Sequence, residues 1–374
     1  MTEKKVVILV AGGTGGHLFP AEALAGELDK RGYDAHLATD ERAKRFVRYF
    51  AEDHVHVIPS ATITSRNPFA VARTLWQLLR GVRTSRRVFR KLRPVLVGGF
   101  GGYPTLPPLY AAKSEGLLTF VHEQNAVMGR ANRAMAGRVD AIAGGFLKEE
   151  GPFKNKIVIT GNPVRKAVIE AARQPYHPSS GNDAFNLLVF GGSQGASFFT
   201  EILPEAVKHL GEPAQKRLRI VEQVRGDGKA LDDIYHGLHI DAVVKEFFDD
   251  MPERIANAQY IIARAGASTV SEIAAIGRPA LLVPYPYALD HDQSANAGKL
   301  AATGAVKVIQ QNELDAKKLA KVIETVMDNS ELLETQAKAA KSAGHTDAAE
   351  KLADMCEALI AGKTAKEFKE GETS

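Results

Sequence analysis

The chain has 374 residues, of which 45% are hydrophobic and 25% are charged. This length and composition indicate a soluble globular protein of two or three domains and exclude a disordered or fibrous one. The single cysteine, Cys356, excludes an intrachain disulfide and a cysteine metal cage, so a reducing compartment fits best. The N-terminal apolar run is too short for a secretory signal, and no window is apolar enough to span a membrane. We therefore expect a cytoplasmic protein.

The net charge of +4 conceals a strongly basic segment from His54 to Ser114. This segment contains ten arginines and lysines but no Asp or Glu, which leaves a net charge of −6 for the rest of the chain. Such an asymmetry predicts a partner with dense negative charge: a nucleic acid, an anionic membrane or a phosphorylated substrate.

Short apolar runs alternate with helical stretches along the chain. The run KKVVILVAG leads through a helix from about Pro20 to Lys30 into DAHLAT, and the series continues with PVLVGG, LLTFVHE, DAIAGG and KIVITG. Because these runs are apolar throughout rather than alternating, they predict parallel strands that are covered on both faces. A polar stretch from Gln174 to Ala184 is typical of a linker.

After this stretch the same order begins again with FNLLVFGGSQGA, a strand that runs into a glycine-rich turn. Further strand patterns are LRIVEQ, DAVVKEF, AQYIIARAGA and RPALLVPYP. Helices are predicted at about 313–327, 331–343 and 346–361, and the charged tail 363–374 is expected to be frayed. The sequence therefore predicts an α/β fold of two doubly wound domains, in which ligands bind beyond the carboxyl ends of the strands.

The turn AGGTGGHLFP, residues 11–20, follows the first strand and opens the first helix. Its glycines let the backbone approach a ligand, and the helix N-terminus offers N–H groups to an anion. The spacing is not GxGxxG, and Asp40 is a poor candidate for the acid that grips the ribose of NAD, so a nicotinamide dehydrogenase is a weaker alternative. His17 is either a residue that caps this turn, or a general base or acceptor-binding group in the cleft.

A third turn, RAGASTVSE, covers residues 264–272. Ser268 or Thr269 would cap the following helix, and Glu272 has the spacing of a capping box with Thr269. In the alternative interpretation, the carboxylate of Glu272 accepts hydrogen bonds from the two hydroxyls of a ribose.

Two polar motifs also follow strand patterns. The side chains of HEQN, residues 122–125, are costly to bury unless they bind something. In DHDQSANA, residues 290–297, Asp290 and Asp292 imitate the Asp-x-Asp motif of metal-dependent sugar-nucleotide enzymes. Since no further ligand cluster supports this interpretation, we expect neither a metal nor a cofactor.

Six motifs, in this order and spacing, resemble the MurG family over about residues 1–360: GGTGGH, GGYP, HEQN, GNPVR, GGSQGA and the run from Arg264 to Pro284. That family transfers N-acetylglucosamine from UDP-GlcNAc to lipid I, undecaprenyl-pyrophosphoryl-MurNAc-peptide, and forms lipid II in peptidoglycan synthesis. The resemblance implies inversion by direct displacement, on a glycosyltransferase B fold of two Rossmann-like domains that face a central cleft.

The resemblance also implies a division of labour between the domains. Residues 1–163 would bind the acceptor and associate with the membrane, with a C-terminal helix at about 344–362 packing back on them. Residues 164–343 would bind UDP-GlcNAc, and 363–374 would form the charged tail.

The resemblance further implies the site residues. The positions that match the family's UDP-GlcNAc contacts are Thr14, Gly15, Gly16, Asn125, Arg165, Ser193, Phe248, Ala267, Ser268, Thr269, Val270, Ser271, Glu272 and Gln293. Glu272 matches the ribose-binding carboxylate, and Gln293 matches the glutamine that reads the sugar hydroxyls. Gly101, Gly102 and Tyr103 lie on the acceptor side. His17 is the candidate base because an imidazole needs little adjustment of its pKa.

The basic segment predicts a membrane-docking helix over Phe69 to Leu92. Trp76 and Leu79 would form its apolar edge, flanked by Arg73, Arg80 and Arg83, and such a helix lies on an anionic membrane rather than across it. Four apolar residues are expected to face the domain instead: Leu75, Leu78, Val82 and Phe89. In the alternative interpretation the whole helix is packed and its arginines form a solvated face.

We therefore expect a peripheral protein at the cytoplasmic face of the cell membrane, without a nucleic-acid partner. Two alternative functions remain. One is another UDP-sugar enzyme of the same fold, such as a UDP-GlcNAc 2-epimerase. The other is a non-catalytic, nucleotide-regulated membrane-binding protein.

Overall fold

The computed structural model describes residues 4–13, 15–44, 47, 49–61, 67–191, 197–288 and 292–372. The chain forms two compact units. Unit 1 consists of Met1–Arg165 together with Thr346–Ser374, and unit 2 consists of Lys166–His345.

Each unit is built on one parallel sheet, within the residues described. The strands are β1 Val6–Val10, β2 Asp34–Thr39, β3 Val55–Val57, β4 Leu96–Gly99, β5 Leu118–Glu123, β6 Ala141–Gly144, β7 Ile157–Ile159, β8 Phe185–Phe190, β9 Leu218–Gln223, β10 Asp241–Lys245, β11 Tyr260–Ala263, β12 Ala280–Leu282 and β13 Val306–Val308. The order is β3-β2-β1-β4-β5-β6-β7 in unit 1 and β10-β9-β8-β11-β12-β13 in unit 2. In both sheets the first strand is central and the order reverses beside it, as in doubly wound folds.

Helices connect the strands. They are α1 Gly15–Lys30, α2 Glu41–Lys44, α3 Pro68–Leu92, α4 Leu106–Ser114, α5 Arg130–Ala136, α6 Lys166–Ala171, α7 Ser197–Lys208, α8 Glu212–Arg217, α9 Lys229–Gly237, α10 Met251–Asn257, α11 Ala267–Ile276, α12 Asp292–Ala301, α13 Ala316–Met327, α14 Ser330–Ala343, α15 Ala348–Ile360 and α16 Ala365–Glu372. Short 3-10 turns lie at Glu52–His54, Tyr103–Thr105 and Gln311–Glu313.

Both faces of the first sheet are buried, which explains its continuously apolar strands. Successive side chains of a strand point to opposite faces. Val7 and Leu9 therefore pack in one cluster with residues of α1 and α15, whereas Ile8 and Val10 pack in another cluster with residues of α4. Helix α15, although distant in sequence, thus completes the core of unit 1.

The core of unit 2 is built in the same way. Leu187 and Val189 of β8 pack with residues of α7 and α13, while Leu188, which points to the other face, is also buried. The stretch 174–184, predicted to be a linker, lies within this unit rather than at its boundary. It is held there because the hydroxyl of Tyr176 donates to Gln259 O and Arg278 donates to Gln174 O.

The C-terminal tail is helical from Ala365 to Glu372, so the expectation that it is frayed is wrong for these residues. Thr364 and Glu367 form a capping box at the start of α16: Thr364 N and Oγ1 donate to Glu367 Oε2 at 2.8 and 2.9 Å, and Glu367 N donates to Thr364 Oγ1 at 3.2 Å. Ala365 is buried, and Phe368 packs against the core of unit 1. The rest of the tail sequence is mostly charged, so these two apolar contacts could not be recognised from it.

The returning helix α15 generates a stability prediction. Leu352 is completely buried in the core of unit 1, so Leu352→Ala should lower the free energy of unfolding by about 2–5 kcal/mol. Urea unfolding followed by circular dichroism measures this loss. Leu79→Ala is the matched control, because the same atoms are removed from a side chain that is 55% exposed. Equal effects of the two substitutions would show that α15 is not part of the core.

Candidate functional site

In unit 1, three loops at the carboxyl edge of the sheet carry the predicted residues. Gly12 and Gly13 follow β1, Gly101 and Gly102 follow β4, and Asn125 follows β5. Helix α1 begins at Gly15, earlier than predicted, so His17 lies in its first turn. Gly102 lies against the first loop, since a Cβ on it would be 3.3 Å from Gly12 O.

The imidazole of His17 lies between these loops. Its Nδ1 is 3.2 Å from Gly12 O, and because a carbonyl only accepts, Nδ1 carries the proton and Nε2 is the basic nitrogen of the neutral ring. Gly101, at φ 93°, permits the close approach of the ring: a Cβ there would lie 3.2 Å from Nε2. Burial lowers the pKa of His17 below 6.5, and the negative charge of Glu123 partly opposes this shift. The geometry therefore provides a neutral imidazole at neutral pH.

Glu123, at the end of β5, organises the neighbouring loop although its carboxylate is buried. Its Oε1 accepts hydrogen bonds from the backbone N and the Nδ2 of Asn125, at 3.0 and 3.1 Å. Its Oε2 accepts from Gly129 N at 2.9 Å and from Asn132 Nδ2 at 2.8 Å. The carboxylate thus fixes Asn125 and the entry into α5. The sequence indicated Glu123 only as part of HEQN, and it did not indicate Asn132.

The other polar residues of HEQN bind the protein itself, which corrects the expectation that they need a ligand. His122 Nε2 lies 3.1 Å from Gly161 O, and Gln124 Nε2 donates to Phe100 O at 3.0 Å. Asn162 Nδ2 in turn donates to Gln124 O. Burial lowers the pKa of His122 to about 4, so its ring is neutral. Of the four residues of this motif, only Asn125 is half-buried, and the others are buried.

Arg165 lies beside the N-terminus of α1. Its guanidinium carbon is 4.3 Å from the ring centroid of Phe19, and this ring also packs against Gly15. Gly15 and Gly16 supply the first N–H groups of a 16-residue helix, where an anion is favoured by the helix dipole. The structure therefore brings Arg165, Gly15 and Gly16 together. Thr14, predicted from the same turn, lies outside the described residues.

Asp40 stabilises the glycine turn instead of leaving a carboxylate for a ribose. Gly13 N donates to Asp40 Oδ1 at 3.2 Å, and Arg42 Nε donates to Asp40 Oδ2 at 2.9 Å. Asp40 is buried, and a Cβ on Gly12 would lie only 2.8 Å from Oδ1. This arrangement disfavours the nicotinamide alternative, because the acid that would bind the NAD ribose already holds the loop.

In unit 2, the predicted residues Ala267 to Glu272 form the first turns of α11, directly after β11. The N-cap is Gly266, so Thr269 and Glu272 lie within the helix and the capping-box interpretation is wrong. Ser268 and Thr269 are half-buried near the helix N-terminus, and Ser271 and Glu272 are almost buried. Val270 is completely buried, so its side chain packs in the core. Its backbone N–H donates to Gly266 O.

Gln293, in the first turn of α12, is held by the backbone. Its Oε1 accepts hydrogen bonds from Ala265 N at 3.1 Å and from Tyr285 N at 2.9 Å. This fixes the orientation of the amide and leaves Nε2 as its donor group. Ser193, another predicted donor contact, lies outside the described residues. Asp290 and His291 lie outside them too, so only Asp292 of the Asp290/Asp292 motif is described.

Phe248, predicted as a donor contact, follows β10 and is buried under Arg254. The guanidinium carbon of Arg254 lies 4.3 Å from its ring centroid, and Arg254 Nε donates to Asp250 Oδ1 at 2.8 Å.

Arg264, which was not among the predicted site residues, holds together the segments that follow β11, β12 and β13. It donates to Val283 O, Pro284 O and Gln311 Oε1, and burial lowers its pKa to about 10.

The predicted membrane helix α3 is only partly packed. Phe89 is buried, and Leu78 and Val82 are half-buried, but Leu75 is 51% exposed, so the expectation that it faces the domain is wrong. Trp76 and Leu79 are exposed as well, and Arg80 lies 4.7 Å from the Trp76 ring. Arg86 and Arg90 pair with Glu115, just beyond the acid-free segment. No helix in the described part of the chain is long and apolar enough to cross a membrane.

Comparison with known proteins now places the chain in a family. The glycosyltransferase family 28 N-terminal domain matches residues 7–144, and the C-terminal domain of that family matches residues 186–352. A UDP-N-acetylglucosamine–N-acetylmuramyl-(pentapeptide) pyrophosphoryl-undecaprenol N-acetylglucosamine transferase from Brucella suis is 58% identical over 373 residues, which cover 99% of this chain and 98% of that protein. The chain belongs to the MurG family. The resemblance found in the sequence is confirmed.

Solved structures confirm the fold. The crystal structure of Acinetobacter baumannii MurG matches with a TM-score of 0.75 and 28% identity, covering 94% of this chain and 99% of that one. The fold is glycosyltransferase B, with two Rossmann-like domains. A UDP-GlcNAc 2-epimerase from Neisseria meningitidis, bound to UDP-GlcNAc, has a TM-score of 0.66 at 11% identity, covering 94% of this chain and 99% of that one. It therefore shares the fold with the MurG family member described here.

The surroundings of His17 predict its titration. Because burial disfavours the charged ring, its pKa should lie below 6.5, and Glu123→Gln should lower it further by removing a nearby negative charge. Titration of the His17 ring signals by NMR, assigned by their loss in His17→Gln, measures both values. The control Glu150→Gln changes an exposed acid and should leave the titration unaltered. A pKa above 6.5, or one that rises in Glu123→Gln, would contradict this description of the site.

Proposed function

We propose that this protein transfers N-acetylglucosamine from UDP-GlcNAc to a sugar hydroxyl of lipid I, and so forms lipid II of peptidoglycan. The observation that carries this function is the 58% identity, over nearly the whole chain, to a relative named for the same transfer. The arrangement of His17 supports a transferase, since a neutral imidazole can accept the proton that the acceptor hydroxyl loses.

The reaction is a direct displacement with inversion. The acceptor oxygen forms a bond to the anomeric carbon of the sugar, while the bond from that carbon to the UDP oxygen breaks. The hydroxyl proton passes to Nε2 of His17, and the electron pair leaves with UDP. This leaving group gains negative charge, which the helix N-termini and Arg165 stabilise. Because a helix terminus contributes about 0.3–1 kcal/mol when exposed and up to ~2 when partly buried, several donors must act together.

The substrate contacts divide between the two domains. Residues 1–163, with the helix at about 344–362, bind the acceptor through Gly101, Gly102 and Tyr103 and associate with the membrane. Residues 164–343 bind most of UDP-GlcNAc. The carboxylate of Glu272 binds the ribose hydroxyls, and the amide of Gln293, oriented by Ala265 N and Tyr285 N, reads the sugar hydroxyls.

Acceptor-dependent release of UDP tests this function against the two alternatives. With UDP-GlcNAc and a lipid I analogue, a transferase releases UDP and forms an equal amount of glycosylated product. A 2-epimerase interconverts UDP-sugars without the acceptor, and a non-catalytic protein changes neither substrate. We expect UDP release only when both substrates are present; turnover of UDP-GlcNAc alone, or none with both, would contradict the transferase.

Substitution of Glu272 tests the ribose contact. Loss of charge-assisted hydrogen bonds worth about 1.5–3 kcal/mol should raise the donor KM by roughly 10- to 150-fold in Glu272→Ala. Initial rates at varied UDP-GlcNAc measure this effect, and Glu253→Ala, which removes an exposed acid of the same unit, is the control. An unchanged donor KM in Glu272→Ala would assign this carboxylate to the structure of α11 alone.

The exposed edge of α3 supports a peripheral position at the cytoplasmic face of the membrane. Phe69 is 86% exposed, and Leu75, Trp76 and Leu79 are more than half exposed on the same helix. Arg73, Arg80 and Arg83 are exposed as well and have no acidic partner among the described residues. An amphipathic helix of this kind inserts its apolar edge at the interface, while its cations meet anionic headgroups.

Vesicle binding tests this docking edge. Since each Lys or Arg near an anionic surface contributes ~1 kcal/mol, co-sedimentation with liposomes should require anionic lipid and weaken with added salt. The Trp76→Ala/Leu79→Ala variant should bind more weakly still. The control Ile234→Ala/Phe247→Ala removes exposed apolar side chains from unit 2 and should bind like the wild type. Equal binding to neutral liposomes would contradict docking through this edge.

A further inference from the structure

A cluster of three histidines and two aspartates lies at the amino-terminal end of β2 and β3. Asp34 and His36 belong to β2, Asp53 and His54 to the 3-10 turn before β3, and His56 to β3. Asp34 is the first residue of β2, whereas the glycine turn with His17 lies beyond the carboxyl ends of the strands. The cluster is therefore separate from the site described above, at the opposite end of the same sheet.

Three of these side chains, those of Asp34, His36 and His54, bring their polar atoms close together. Asp34 Oδ2 lies 3.3 Å from His36 Nε2, and Asp34 Oδ1 lies 3.0 Å from His54 Nε2. The two imidazole rings are stacked, with centroids 4.3 Å apart, and one ligand atom from each of the three residues lies within 4.8 Å of the others. In a tetrahedral zinc site with bonds of about 2.0–2.1 Å, neighbouring ligand atoms are about 3.3 Å apart. The contacts of Asp34 with the two rings are close to this spacing, although each ring meets a different oxygen of the carboxylate.

The remaining nitrogen of each ring is held by a neighbour. His54 Nδ1 lies 2.8 Å from Asp53 Oδ1, and His36 Nδ1 lies 3.0 Å from His56 Nε2. Metal-binding histidines have the arrangement seen at His54, because a carboxylate on one ring nitrogen fixes the tautomer and directs the other nitrogen at the metal. A hydrogen-bonded carboxylate on His54 also makes its ring a stronger ligand.

We propose that Asp34, His36 and His54 bind a divalent transition-metal ion, for which Zn²⁺ is the best match. Two imidazoles and a carboxylate are ligands that zinc accepts, and a fourth position is left for water. The His36 side chain is 7% exposed, but those of Asp34 and His54 are about one-third exposed, so an ion can reach the site from solvent. The two aspartates supply negative charge.

The ion has a structural effect at this place. Strand β3 has three residues and lies at the edge of the sheet, where β2 is its one partner among the described strands. His54 precedes β3, and Asp34 and His36 belong to β2, so a shared metal ion ties the edge strand to its neighbour. The bound ion should therefore stabilise unit 1 without taking part in sugar transfer.

Titration of the metal-free full-length chain with Zn²⁺, followed by calorimetry, tests this site. We expect one ion per chain and a higher melting temperature with Zn²⁺. His54→Gln should weaken binding by roughly tenfold or more and abolish the melting shift, and Asp53→Asn should weaken binding by about 10–100-fold through the orientation of His54. The control His236→Gln changes an exposed histidine of unit 2 and should bind Zn²⁺ like the wild type.

Co²⁺ provides a second readout, because a site of this geometry gives visible absorption bands that His54→Gln should lose. Equal affinity of the wild type and His54→Gln for Zn²⁺ would overturn the site. So would a wild type that takes up no Zn²⁺ while His54→Gln still lowers its melting temperature. That result would assign the cluster to hydrogen bonding alone.

Discussion

The buried carboxylate of Glu123 is the interaction on which the candidate site of unit 1 depends. A charge in this position is tolerated because four hydrogen bonds replace its water, and these bonds come from the loop after β5 and from α5. The same charge acts on His17 and opposes the effect of burial on the pKa of this ring. One side chain therefore holds the Asn125 loop in place and adjusts the basicity of the candidate base.

Much of the fold could be predicted because the strands carry a strong local signal. Continuously apolar runs identified the parallel sheets, and the repeat of strand and glycine turn after residue 184 identified the second unit. Features that depend on distant partners could not be predicted. Helix α16 forms because Phe368 reaches the core of unit 1, and Arg86 pairs with Glu115 on a different element. The exposure of Leu75 has a similar cause, since the first buried residue among the described side chains of α3 is Gly81, which packs against Pro59 and Pro107.

The site shows the same division between local and distant signals. Glycine turns after strands led to His17 and the N-terminus of α11, because the topology places these turns at the carboxyl edges. Gly101 was indicated only by the resemblance to the family. The internal partners of His122 and Gln124 are Gly161 and Phe100, which lie just beyond two other strands, so the sequence could not show that these polar groups are already satisfied. The Asp34–His36–His54 cluster was missed for the same reason, because the pairing of β2 with β3 joins residues that are far apart in the chain.

The proposed transfer of the acceptor hydroxyl proton to His17 can be tested by chemical rescue. In His17→Ala, the turnover number for UDP release should fall by about 10²–10⁴-fold, since that is the usual contribution of a general base. The donor KM should change little, because the imidazole acts on the acceptor. Imidazole added to the solution should restore part of the lost rate, by occupying the space beside Gly101 and Gly102. An unchanged turnover number, or a loss that appears in the donor KM and is not restored by imidazole, would contradict the role of His17.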